Sequence, residues 1–106
     1  MWKPITRAEF EHLLAEERLN LVNSALRALD RFAVPLSMAK IRRSELYGDE
    51  DVFVVAESPN GVIYFDDVEW GFEFSPLDIH GCIESRGASQ MNLVDVVESW
   101  LVPQLS

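Results

Sequence analysis

The chain has 106 residues and 48% apolar side chains, enough for one core and too many for a disordered chain of this charge. Nine Lys+Arg against 18 Asp+Glu give a formal net charge of -9, and no apolar run reaches the roughly 18 residues of a membrane span. One domain over residues 1–106 is expected, with no membrane partnership. From the N-terminus, Thr6 and Glu9 have the spacing of a capping box, and Ile5 and Phe10 that of a hydrophobic staple, so a helix is predicted to begin at Arg7. Phe10, Leu13 and Leu14 share one helical face. Glu16, Glu17 and Arg18 interrupt that stripe before Leu21, Val22, Ala25, Leu26, Leu29 and Phe32 resume it. A single helix over 7–32 would be about 39 Å long and overhang a domain of this size, so a break near Arg18 to Asn20 is predicted. Pro35 is expected to end the helical region.

Leu36, Met38 and Lys40 alternate with Ser37, Ala39 and Ile41, the pattern of an edge strand running into a polar turn at Tyr47-Gly48-Asp49-Glu50. Val52-Phe53-Val54-Val55-Ala56 and Val62-Ile63-Tyr64-Phe65 flank the turn residues Ser58-Pro59-Asn60-Gly61 and predict a hairpin. Both runs are apolar at every position, which places them centrally, covered on two faces. Trp70, Phe72 and Phe74 alternate with Gly71 and Glu73 as in a half-buried strand. A further strand is read before Gly87, where Ile79, Gly81 and Ile83 alternate with His80, Cys82 and Glu84. Ser89 is a candidate cap for a last helix, with Leu93, Val94, Val97, Trp100 and Leu101 as its buried stripe and Pro103 as its stop. The order α, α, β, β, β, β, β, α indicates an α+β fold. A mostly antiparallel sheet of four to five strands carries N-terminal helices and one C-terminal helix packed on it.

Charge is distributed unevenly. Residues 1–43 hold eight basic and five acidic side chains, whereas residues 44–85 hold eleven acidic and no basic ones. Such a block repels phosphate backbones, so nucleic acid is excluded as a partner, while a basic protein would be attracted. The lone Cys82 cannot close an intramolecular disulfide. The stretch Met1 to Arg7 lacks a basic leader followed by an apolar core, so a cytoplasmic protein is expected.

Two constellations carry possible chemistry. Asp78, His80, Cys82 and Glu84 recur at every second position and would share one face of a strand, where a carboxylate, an imidazole and a thiol can bind a transition metal or activate a nucleophile. Neighbours on that face stand about 6 to 7 Å apart and no second Cys completes a zinc set, so structural roles are the stronger reading. Asp66, Asp67 and Glu69 form an acidic turn without the repeated spacing of a calcium loop. No phosphate-cradling, nucleophile-elbow or zinc-protease motif occurs, and neither a metal nor a cofactor is expected. Trp70, Phe72 and Phe74 beside acidic residues have the composition of an interface hot spot as well as of a core. With two or three helices to cover both faces of the central hairpin, a second subunit is one way to complete the burial.

The segment from Val52 to Ala56, then Val62 to Glu73 and on to Gly87-Ala88-Ser89-Gln90, resembles small bacterial immunity-type proteins of polymorphic or contact-dependent toxin systems. The resemblance spans about residues 50–95. It implies a partner-binding protein without catalysis that occludes a cognate toxin domain in the cytoplasm. The expected contacts are Asp66, Asp67, Glu69, Trp70 and Glu73, with the acids steering a basic partner and an aromatic anchor holding it. The alternatives are a small enzyme or ligand-binding domain using the Asp78/His80/Cys82/Glu84 face, and a homo-oligomer whose acidity serves solubility.

Overall fold

The computed structural model describes residues 3–42, 49–84 and 91–105, with the backbone alone at 42, 49 and 84. Helix α1 (Arg7–Arg18) starts where the capping box predicts. The Thr6 hydroxyl accepts from the Glu9 amide at 3.2 Å, and the Glu9 carboxylate accepts from the Thr6 amide at 3.0 Å. Those hydrogen bonds from Thr6, backbone first and side chain second, hold the Glu9 carboxyl below its ordinary pKa. A turn at Leu19 and Asn20 makes the predicted break, and α2 (Asn23–Phe32) buries Ala25, Ala28 and Leu29.

The sheet contains β1 (Ala33–Arg42), β2 (Asp49–Ser58), β3 (Gly61–Asp66), β4 (Gly71–Ser75) and β5 (Ile83–Glu84) in the order β4-β3-β2-β1-β5. The first four are antiparallel and β5 runs parallel to β1. Helix α3 (Leu93–Val96) continues through a π-helical turn (Val97–Leu101) into a 3₁₀ turn (Val102–Gln104). The order and the α+β class are those expected.

Several details depart from the sequence reading. Helix α2 stops at Phe32, and Pro35 lies inside β1. It sits where the β1–β2 register slips between Ala33 and Ser37, an irregularity that tolerates a residue without an amide proton. The pattern read as an edge strand gives β1 two neighbours, although β5 covers only Ile41 and Arg42. Strand β2 begins at Asp49, and the residues read as the preceding turn, Tyr47-Gly48, lie outside the described residues, as does the cap candidate Ser89. Asn92 occupies the cap position of α3.

Alternation divides the sheet into two buried faces, as the doubly apolar hairpin requires. Phe53, Val55, Ala56, Ile63, Phe65 and Phe72 pack with Phe10, Leu29, Leu93, Val97 and Leu101 from the helices. Phe10 stacks on Phe53 with ring centroids 4.8 Å apart and planes 2° from parallel. A register shift between Val54 and Ala56 turns both Val55 and Ala56 toward the helices. On the other face Ile41, Val52, Val54, Val62, Tyr64 and Ile83 form a second core.

The sheet is strongly curled. In a flat sheet β4 and β5 would be four strand spacings apart, about 19 Å. Yet Leu77, two residues beyond β4, bridges to Ile83 of β5, and two residues of chain span at most about 7 Å. The sheet therefore bends round until its edges approach each other, and the bulges in β1 and β2 permit the bend. Helices pack on the outer face, and the inner-face residues Ile41, Val52, Val54, Val62, Tyr64 and Ile83 are buried within the single chain.

The candidate partner-binding turn between β3 and β4

Of the five expected contacts, Asp66, Asp67, Glu69, Trp70 and Glu73, four carry carboxylates, and the structure uses three of those internally. Asp66 is 1% exposed, and its Oδ1 accepts from the amides of Val68 at 3.0 Å and Glu69 at 3.2 Å. A short acid at a strand end satisfies turn amides that no ladder can reach. Asp67, also buried, accepts from the Ile5 amide at 2.9 Å, tying the start of α1 to the turn. Glu73 points from β4 to the inner face, where its carboxylate accepts from the Tyr64 hydroxyl at 2.7 Å. Asp66, Asp67 and Glu73 are therefore not accessible contacts, which corrects the sequence reading.

What remains on the surface is apolar and aromatic. Trp70 is 57% exposed and Val68 47%, with Glu69 half-buried between them. The Trp70 ring stands edge-on to Phe65, centroids 5.2 Å apart and planes at 81°. Its backbone has φ 60°, a left-handed conformation that costs a bulky residue about 1–3 kcal/mol. The sequence singled out Trp70 by its alternation with Phe72. Nothing there signalled its strained backbone, nor that Val68 would be exposed inside an acidic turn.

The rest of the acidic block varies in exposure. Asp51 and Glu57 are exposed, and Glu50 and Asp78 are half-buried. Lys40 Nζ lies 3.7 Å from Asp51 Oδ1. Two arginines of the leading helices pair with helix acids, Arg7 with Glu11 along α1 and Arg18 of α1 with Asp30 of α2. Glu45 and the side chains of Asp49 and Glu84 lie outside the described residues.

The proposed Asp78/His80/Cys82/Glu84 strand face does not form. Leu77 to Cys82 turn before β5, and Asp78 organises the turn: its Oδ1 accepts from the amides of His80 at 2.8 Å and Cys82 at 2.9 Å. Its backbone amide donates to the Cys82 carbonyl, and its carbonyl accepts from Gly81. Gly81 has φ 76°, which suits the residue without a Cβ. Period-two spacing was thus produced by a loop, with Ile79 96% exposed at its tip. Among the described residues no three His, Cys, Asp or Glu side chains come together as metal ligands. No helix of the described residues is long and apolar enough to cross a membrane. In comparison with known proteins, the chain matches no family, no curated relative and no solved structure.

Proposed function

We propose that the chain is a non-catalytic binding protein of the immunity type, which docks a basic protein such as a toxin domain in the cytoplasm through its β3–β4 turn. The observation that supports this is Trp70, a large aromatic side chain held half out of the molecule on a strained backbone. Such strain persists only where surrounding structure over-determines it, and it clusters at functional positions. Trp is also the side chain most enriched in interface hot spots. Val68 and Glu69 flank the anchor, one supplying apolar contact and the other charge. Asp66 and Asp67 position the turn from inside, and Glu73 braces the strand that leaves it. The net charge of -9 supplies a long-range field that speeds the approach of a cationic partner.

The test is calorimetric titration of the intact chain against the purified product of the neighbouring reading frame. Binding by the wild type is expected to weaken about 30-fold in Trp70→Ala, a loss of about 2 kcal/mol. Glu69→Gln should mainly slow association. Absence of binding, or an unchanged affinity in a folded Trp70→Ala variant, overturns the proposal.

A further inference from the structure

We propose that Asn60, at the apex of the β2–β3 hairpin, is a covalent modification site that loses its carboxamide to attack by the Gly61 nitrogen. Ser58 and Gly61 form the last rung of the hairpin, so Pro59 and Asn60 alone make the link, and both are exposed. The reaction needs a following residue that leaves its own nitrogen unshielded, and glycine is the residue without a Cβ. The other asparagines, Asn20, Asn23 and Asn92, are followed by Leu21, Ser24 and Leu93.

The fold fixes this labile pair in place. A Cβ on Gly61 would stand 2.4 Å from the Ser75 carbonyl oxygen and 2.8 Å from its carbon, and φ is +154°. The chain cannot protect Asn60 by exchanging its neighbour. The apex itself is lightly held. The Asn60 amide donates to Ser58 Oγ, and that hydroxyl donates to the Gly61 carbonyl, both at 3.3 Å, beyond the usual range. Freeing the Gly61 amide opens a terminal rung, which is among the least costly local openings of a sheet.

In the step, the Gly61 nitrogen gives up its proton to solvent and bonds to Asn60 Cγ. The Cγ–Nδ2 bond breaks and ammonia leaves, closing a five-membered succinimide. Water then adds to one of the two ring carbonyls. Opening at Cγ gives aspartate; opening at the main-chain carbonyl gives isoaspartate, with one extra carbon in the backbone. No oxidant or reductant takes part. The isoaspartate form lengthens a two-residue link between the two central strands, at a point where Gly61 has no space beside Ser75.

The experiment incubates the intact chain at mildly alkaline pH beside the free peptide Ser-Pro-Asn-Gly-Val, followed by mass spectrometry and isoaspartyl methyltransferase labelling. A gain of about 1 Da is expected on the fragment containing Asn60, with methyl acceptance, and neither should appear in Asn60→Gln. A folded chain that stays unmodified after the peptide has converted overturns the proposal. So does a gain confined to Asn20, Asn23 or Asn92.

Discussion

Replacing Asp66 by Ala separates a scaffold role from a contact role. If the carboxylate were a partner contact, its loss would leave the free chain within about 0.5 kcal/mol of wild type, as surface substitutions do. As placed, it is 1% exposed and accepts from two turn amides. Alanine removes both bonds and leaves the Val68 and Glu69 amides to find water in a partly buried turn. Hydrogen bonds to a charged group are worth about 1.5–3 kcal/mol each; because the two share one oxygen, a total of about 2–3 kcal/mol is expected. For a chain of 106 residues the entropy of unfolding is about 0.2 kcal/mol/K, so Tm should fall by about 10 °C. Asp66→Asn keeps the acceptor oxygen and should lose about half as much or less. Urea unfolding followed by circular dichroism measures both. A destabilisation under about 0.5 kcal/mol in Asp66→Ala would refute the internal role.

Phe10 joins α1 to the sheet through rings at 4.8 Å on Phe53, 5.3 Å on Phe65 and 6.1 Å on Phe72. Phe10→Ala should therefore cost about 3–5 kcal/mol in urea unfolding, and a loss below about 1.5 kcal/mol would mean that α1 is not clamped there. The lowered pKa of Glu9 carries a sign for acid stability. Its capping contribution is complete above the ordinary carboxyl range and disappears as pH falls through the lowered folded value. Glu9→Gln, which keeps a capping acceptor, should flatten the pH dependence of stability between about pH 5 and pH 3, and an unchanged slope contradicts the Thr6–Glu9 arrangement.

Local chemistry was legible in the sequence wherever one interaction decides the outcome. The start of α1 follows from Thr6 and Glu9, the α1–α2 break from three charged residues in an apolar stripe, and the central hairpin from two apolar runs about Pro59-Asn60. Reading both faces of those runs as buried was sufficient to predict two layers of contact, and the two cores realise it. The helical region does end before Pro35, but the strand already includes that proline, because its lost amide matters little at a register slip. The stretch from Asp78 to Glu84 misled. Alternation describes a strand only if the backbone is extended, and Asp78 instead bonds two amides within four residues of itself. The bridge from Leu77 to Ile83 depends on the curl of the whole sheet, which no local pattern encodes.

The fate of the acidic block separates two quantities that a sequence reports as one. Net charge is a sum and survives folding, so the field felt by a distant cation remains negative wherever the carboxylates lie. Short-range recognition depends on which groups meet solvent, and folding assigned Asp66, Asp67 and Glu73 to turn amides, the Ile5 amide and Tyr64. Those assignments have a common origin. Aspartate beside a strand end finds backbone donors within two or three residues, and a glutamate on an inward-facing position is retained only with a donor such as Tyr64 opposite it. The sequence thus places acids where the turn needs acceptors, and the apolar residues between them, Val68 and Trp70, are displaced outward. Steering by field and anchoring by Trp70 consequently fall to different atoms. Added salt should then slow association with a basic partner while leaving the contribution of Trp70 to dissociation nearly unchanged.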